Sequence, residues 1–198
     1  CYSARYMALD NVVIISGPSG AGEDSAIEGL RSYTQVNRVI TTSTRDMRPG
    51  ESDGSPYYVI SKEAFEEKLD RGEMVEWAKQ YNGNLYGVTK AELERVNALP
   101  GVGIWKIEYQ GVMSAQKLYP DILSIFIMAE SLDVLADRIR SRGSVSEEFI
   151  QERMEYTKEW LKHEDIYDYK VINYQGKLDE TVKEIAQILK KEGYAVKI

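Results

Sequence analysis

The sequence predicts an α/β fold with a mainly parallel sheet, on three observations. Short apolar, largely β-branched runs recur along the chain, helical patterns separate them, and the first run ends in a glycine-rich turn that opens a helix. Asn11–Ser16 is that first run, a buried-type strand stopped by Gly17-Pro18-Ser19-Gly20. Asp24–Tyr33 has apolar spacing fit for a helix, and Val36–Thr42 reads as one strand. Arg45–Pro56 is a polar loop turned by Pro49-Gly50 and Asp53-Gly54. Tyr57–Ile60 is a short strand, and a helix from Ser61 to about Arg71 puts Ala64, Phe65 and Leu69 on one face. Glu73–Tyr81 is expected to be a strand that turns back at Asn82-Gly83-Asn84. Thr89 with Glu92 three residues later is a capping box for a helix to about Val96, broken by Pro100-Gly101. Val102–Tyr109 and Ile122–Met128 are further buried-type strands around a helix near Gly111–Leu118. Ser131–Arg142, Ser146–Lys162 and Lys177–Lys190 read as helices, with Lys170–Asn173 the last short strand. From Thr41 to Asn97 the pattern turns to short strands and hairpins, which predicts an insertion with its own small sheet.

The 198 residues carry 25 Lys and Arg against 32 Asp and Glu, a net charge of −7 that argues against a nucleic-acid polymer as partner. No apolar run approaches the ~20 residues of a membrane helix, and no signal-peptide pattern opens the chain, so a cytoplasmic protein without a membrane partner is expected. Met7 is expected to be the natural start, with residues 1–6 a tag or processing remnant. A single cysteine, Cys1, and a single histidine, His163, exclude an internal disulfide and a His-cluster metal site, and argue against a Ser-His-Asp triad. His163 reads as a helix-surface residue, and the tyrosines on helix faces read as packing.

Four constellations carry chemistry. Gly17 and Gly22 stand at the G-x-x-x-x-G-K-[ST] spacing, where backbone N–H groups and a helix N-terminus cradle phosphate oxygens. Glu23 and Asp24 occupy the lysine and Ser/Thr positions, so the loop alone leaves open a turn that needs glycine for backbone reasons only. Thr41 to Glu51, with Tyr57 beyond, sets Arg45 and Arg48 three apart in a glycine-turned loop, a fork for a doubly charged phosphate. Glu51 there either holds a donor-rich base or keeps an arginine in place. Arg138 and Arg142 share one helix face and Arg153 lies on the next helix, so a short turn could aim all three at one point. Such a cluster suits a transferring phosphoryl group, while an exposed helix laced with ion pairs through Asp133, Asp137, Glu148 and Glu152 is the other reading. Strand alternation, finally, places Lys106 and Glu108 on one side at the ligand-binding end of a parallel sheet.

Together these residues resemble the guanylate kinase family, from about Val12 to the last helix. The resemblance is carried by Ser43-Thr44-Arg45, Arg48-Pro49-Gly50-Glu51, Asp53-Gly54, Tyr57, Glu76-Trp77, Asn84-Leu85-Tyr86-Gly87 and Gln110-Gly111. It continues through Arg138, Arg142-Gly143, Arg153 and Tyr167-Asp168-Tyr169 with Asn173. The resemblance implies a P-loop three-layer core (residues 11–40, 98–131 and 160–198), a monophosphate-binding insertion (41–97) and a helical lid (132–159). It implies transfer of a phosphoryl group from ATP to GMP with Mg²⁺, in a monomer or homodimer. ATP would lie on Gly17, Pro18, Ser19, Gly20, Ala21, Gly22, Glu23, Asp24 and Ser25. GMP would meet Arg45, Arg48, Tyr57 and Tyr86 at its phosphate end and Thr41, Glu76 and Glu108 at guanine, with Glu51 also in the GMP site. Arg45, Arg138, Arg142 and Arg153 would act on the transferring group.

The chain departs from that pattern at Val88, where a Ser or Thr is usual, and at two charged positions. An acid stands at 23 in place of lysine, and Lys106 stands in place of an acid in Lys106-Ile107-Glu108. The expectation is that charges have been exchanged across the phosphate site. Lys106 would reach the β- and γ-phosphates, with Glu23 or Asp24 beside the magnesium ion. A catalytically weak binding module, or a kinase of a phosphorylated sugar, are the competing readings.

Overall fold

The structure is a computed structural model and describes residues 8–80, 83–141, 143 and 145–198. The expected N-terminal remnant, residues 1–6, and Arg142 and Asn82 lie outside the described residues. Five strands form the main sheet: β1 (Val12–Ser16), β2 (Val36–Arg38), β7 (Val102–Lys106), β8 (Ser124–Met128) and β9 (Tyr169–Ile172). Their order is β2-β7-β1-β8-β9 and every pairing is parallel. β1 is buried along its whole length, which explains its unbroken Val-Val-Ile-Ile sequence: both faces are covered, so no alternation survives. The covering helices are α1 (Glu23–Gly29), α3 (Lys90–Asn97), α4 (Tyr109–Leu118), α5 (Leu132–Ser141), α6 (Glu147–Leu161) and α7 (Leu178–Lys191). From the adjacent β1 and β7 the chain leaves in opposite directions, to β2 on one side and β8 on the other. Such a divergence opens a ligand crevice at the carboxyl ends of the strands.

A second sheet, in order β4-β3-β6-β5, joins β3 (Thr41–Ser43), β4 (Tyr57–Val59), β5 (Met74–Lys79) and β6 (Leu85–Thr89). α2 (Lys62–Asp70) starts at Ser61, whose Oγ accepts from Ala64 N. The single strand expected over Val36–Thr42 is two strands in two sheets. Val39 N still donates to Ile104 O in the main sheet at 2.9 Å, and Ile40 N donates instead to Glu92 Oε1 at 2.8 Å. A run of β-branched residues shows that a segment is extended, and says nothing about a change of partner. The capping box at Thr89 is also only half made. Thr89 Oγ1 accepts from Glu92 N, but the Glu92 carboxylate turns to Ile40 N and to Arg95, with 3% of its side chain exposed. The strand expected to run through Tyr109 stops at Lys106, because Glu108 is already the N-cap of α4. Lys106 and Glu108 therefore do not share a strand face, although they border the same cavity.

Candidate active site

The turn after β1 is built around glycines that no other residue can replace. A Cβ on Gly17 would lie 2.3 Å from Ile127 O of β8. Gly22 has φ of 96°, and a Cβ there would lie 2.4 Å from Asn173 Nδ2. That amide is no accident of packing, since Asn173 Nδ2 donates to Ala21 O at 2.8 Å and Thr181 Oγ1 donates to Asn173 Oδ1. A buried asparagine after β9 thus holds the loop from beneath. Ser16 Oγ, at the end of β1, bonds Ile107 O at 2.6 Å and lies 2.9 Å from Tyr167 Oη, which accepts from Trp160 Nε1. The end of β1, the segment after β7 and α6 are thereby tied into one polar network.

These elements enclose a cavity of about 250 Å³ bordered by Gly17, Glu23, Lys106, Glu108, Arg153 and Tyr156 among others. Ser19, Gly20, Gly22, Asp24 and Ser25 also border it. Lys106 Nζ lies 2.6 Å from Asp24 Oδ2, and Arg38 Nη2 lies 2.9 Å from Asp24 Oδ1. Partial burial pushes the Asp24 carboxyl up, yet the hydrogen bonds and charges of Lys106 and Arg38 outweigh it and hold it below the ordinary range. The Lys106 and Asp24 side chains are 40% and 62% exposed, so this contact is solvated. Glu23, by contrast, is buried.

Arg138 reaches the loop from α5. Its Nη1 donates to Gly20 O at 3.3 Å, Nη2 to Asn173 O at 2.8 Å and Nε to Gln175 Oε1 at 3.0 Å. Arg153 lies over the Phe149 ring at 5.0 Å and faces the cavity from α6. Arg140 points away, pairing with Asp137 and Glu147. So Arg138 and Arg153 approach the loop from two helices, with Arg138 engaged by backbone carbonyls.

The second half of the site lies on the small sheet. Arg45 is buried and meets Glu51 in a two-pronged contact, Nη1 to Oε2 at 2.8 Å and Nη2 to Oε1 at 2.7 Å. Nη1 also donates to Asp46 O, and the guanidinium sits 4.7 Å from the Tyr57 ring centre. Glu51 is thus the residue that keeps an arginine in place. The Arg45 guanidinium and the Arg48 backbone N–H hold its carboxyl at about 2. Three guanidinium N–H groups are used in these bonds, of the five an arginine has, so two remain for a ligand. Tyr57 meets Tyr86 edge-on at 5.9 Å, the rings reaching across β3 from β4 and β6. Thr41 stands opposite Tyr57 in the β3–β4 register, and Arg48 is exposed in the loop.

Glu76 on β5 faces the start of α4, where a Cβ on Gly111 would lie 3.6 Å from Glu76 Oε2. Burial, with the Glu108 charge added, pushes its carboxyl up to about 7. Glu108 itself accepts a 2.6 Å hydrogen bond from Tyr156 Oη. Burial and that bond to Glu108 raise the Tyr156 phenol above its ordinary value. Glu108 therefore belongs to both halves: it borders the glycine-turn cavity and acts electrostatically on Glu76. The sequence gives no sign of the parts played by Asn173 and Tyr156, because each acts on a residue far along the chain.

A larger cavity, about 840 Å³, lies at the amino ends of β1, β8 and β9, bordered by Asp10, Asp121, Asp168 and Tyr194. It is remote from the glycine turn, and ligands of parallel sheets bind at the other end.

Comparison with known proteins bears on the family and the fold of this chain. The sequence model of the family described as guanylate kinase matches residues 10–192. A curated guanylate kinase of Haemophilus influenzae is 38% identical over 190 residues, covering 94% of this chain and 90% of that protein. One from Symbiobacterium thermophilum is 35% identical over 178 residues, covering 89% and 82%. The crystal structure of guanylate kinase from Anaplasma phagocytophilum superposes with a TM-score of 0.64 at 25% identity, covering 91% of this chain and 85% of that one.

Proposed function

The chain belongs to the guanylate kinase family, and from that premise we propose that it phosphorylates GMP with ATP through a rearranged phosphate loop, Lys106 supplying the cation missing at position 23. The observation that carries the rearrangement is the position of Lys106 Nζ, on the rim of the glycine-turn cavity and 2.6 Å from Asp24. A lysine four carbons long, at the end of the strand beside β1, reaches the mouth of the loop from the opposite wall. When phosphate oxygens enter, the ammonium can exchange a solvated carboxylate for them with little rearrangement, because Arg38 remains on Asp24.

In the reaction a phosphate oxygen of GMP bonds to the γ-phosphorus of ATP while the bond from that phosphorus to the β–γ bridging oxygen breaks, leaving ADP and GDP. Charge spreads over the equatorial oxygens, and the protein acts by position and electrostatics. Residues 17–25 would cradle the ATP phosphates, with Lys106 and Arg153 facing them from the cavity wall and Arg138 on the lid side. Arg45, with Arg48, Tyr57 and Tyr86, would hold the GMP phosphate, and Glu51 fixes Arg45 for that task. Thr41, Glu76 and Glu108 would face guanine, whose N1–H and amino group are donors. Adenine presents a different edge and would leave those carboxylates unpaired. In this division residues 41–97 are the monophosphate-binding insertion, 132–159 the lid, and 11–40, 98–131 and 160–198 the core.

Among the described residues no group of three or more Asp, Glu, His or Cys side chains is placed to hold a metal ion. That suits Mg²⁺ carried in on ATP phosphates, an ion that keeps several waters and needs only one or two carboxylates. Glu23 and Asp24 would meet it, directly or through water. When bound, the ion neutralises charge on the β- and γ-phosphates. No helix among the described residues is long and apolar enough to cross a membrane.

The test is release of ADP from ATP and Mg²⁺ on addition of GMP, with AMP and no acceptor as controls. Lys106→Ala is expected to lower kcat roughly 10²- to 10³-fold, the usual loss for one transition-state charge contact. Undiminished turnover in that variant would retire the exchanged charge and leave the kinase. Absence of GMP-dependent ADP release in the native chain, with GMP still bound, would make the protein a binding module.

A further inference from the structure

Helix α6 presents two functional side chains three residues apart, hence on one face. Arg153 faces the phosphate cavity, and Tyr156 Oη donates to Glu108 Oε2 at 2.6 Å. The Tyr156 ring is fixed by its neighbours, 6.1 Å from the Tyr109 ring and edge-on to Trp160 at 6.0 Å. Tyr109 is stacked on His163 at 4.8 Å, and Trp160 is anchored to Tyr167, itself bonded to the end of β1. The phenol therefore cannot swing without turning α6 or breaking this aromatic cluster. On the other side, Glu108 is the N-cap of α4 and the charge that acts on Glu76.

We infer that Tyr156 is a positioning residue that couples the two nucleotide sites, linking the carboxylate that would read guanine to the helix that carries Arg153. The inference rests on the kinase reading above. A carboxylate has two acceptor oxygens, and the tyrosine occupies a place on only one of them. A guanine donor on Oε1 fixes Glu108; through Oε2 this fixes the phenol, and with it the turn of α6 from which Arg153 faces the phosphates. Linkage makes the effect reciprocal: an ATP-site ligand that holds Arg153 tightens GMP by the same factor. Nothing in the family resemblance marks this position, since a tyrosine on a helix face reads as packing.

The experiment measures the GMP dissociation constant by calorimetry on the full chain, with and without a β,γ-non-hydrolysable ATP analogue and Mg²⁺. The native protein is expected to bind GMP at least about fivefold more tightly when the analogue is present, the lower end of ordinary coupling factors. Tyr156→Phe keeps the ring and its packing, so its melting temperature should match the native one while the coupling factor falls to about 1, a signature that loss of a packing contact would not produce. Tyr156→Lys restores a donor of similar reach without the ring, and is expected to recover part of the coupling. A role in packing alone predicts the reverse order, with Phe coupled and Lys not. Coupling retained in Tyr156→Phe, or absent from the native protein, overturns the link. Failure of the native protein to bind GMP at all overturns the kinase reading and the link with it.

Discussion

The two anion sites proposed for this molecule are made in opposite ways. On the small sheet the cation is built in: Arg45 is buried, gripped at two points by Glu51 and covered by Tyr57. At the glycine turn the cation is borrowed from the neighbouring strand, and Lys106 meets Asp24 in a contact whose partners are 40% and 62% exposed. A buried two-pronged pair has a fixed direction before any ligand arrives, whereas a solvated lysine is free to change partners. The difference suits the two ligands proposed for them. The acceptor phosphate must be held still, while the donor phosphates shift charge from one side of a breaking bond to the other.

The largest effect is expected where the fixed site is broken. Arg45→Met removes the proposed phosphate contact and leaves Glu51 without the guanidinium that holds its carboxyl at about 2. The specificity constant for GMP should fall roughly 10³-fold, at the upper end for loss of one charged donor. The melting temperature should fall too, and the double variant Arg45→Met with Glu51→Met should regain it without regaining activity. Recovery of activity in the double variant would show that the pair is scaffold rather than a phosphate site.

Glu76 sharpens the comparison, because it lies on the fixed side and yet its charge is not fixed. Unfolded, its carboxyl titrates at the ordinary 4.5; folded, burial beside Glu108 raises it to about 7. Between those values the folded chain holds a proton that the unfolded chain has lost, so the stability due to this group is present at low pH and lost as pH rises through that window. Guanine bound at Glu76, as proposed, would reverse the preference, since its N–H donors need the ionised acceptor. KM for GMP should fall about tenfold per pH unit on approach to 7 from below, and level off above it. The GMP phosphate titrates near pH 6 as well, so the informative quantity is the ratio of KM in Glu76→Gln to KM in the native chain. A ratio that does not change with pH would remove Glu76 from base recognition.

What could be read in the sequence follows from how local each feature is. Buried strands announce themselves in four consecutive residues, as at Val12–Ile15, and Arg45 with Glu51 lies within one loop, though only the structure decides that Glu51 holds the arginine. The main sheet and the small one were both expected, but the change of sheets at Ile40 was not, since it depends on a carboxylate fifty-two residues away. Glu92 illustrates the same point: its spacing from Thr89 promises a reciprocal cap, and a distant backbone N–H claims the side chain instead. Asn173 under Ala21 and Tyr156 on Glu108 are contacts of the same long-range kind. Lys106 was legible only because an acid at 23 and a lysine at 106 depart from one pattern in opposite senses.

The smallest effect is the one that tests whether the phosphate-loop cation is held loosely. Asp24→Asn removes a carboxylate lying between Lys106 and Arg38 while keeping its shape and one acceptor oxygen. Exposed pairs of this kind contribute between zero and about 1 kcal/mol, because water and salt screen the attraction and two long side chains must be ordered to make it. Partial burial pushes the Asp24 carboxyl up, and the hydrogen bonds and charges of Lys106 and Arg38 together bring it below the ordinary range. For a chain of this length that corresponds to a melting temperature lowered by no more than about 2–4 °C. Salt should diminish even that difference. A fall as large as that of Arg45→Met would mean that Lys106 is locked on Asp24 as firmly as Arg45 is on Glu51. A lysine so held could not turn to an incoming phosphate, and the contrast between a built-in and a borrowed cation would disappear.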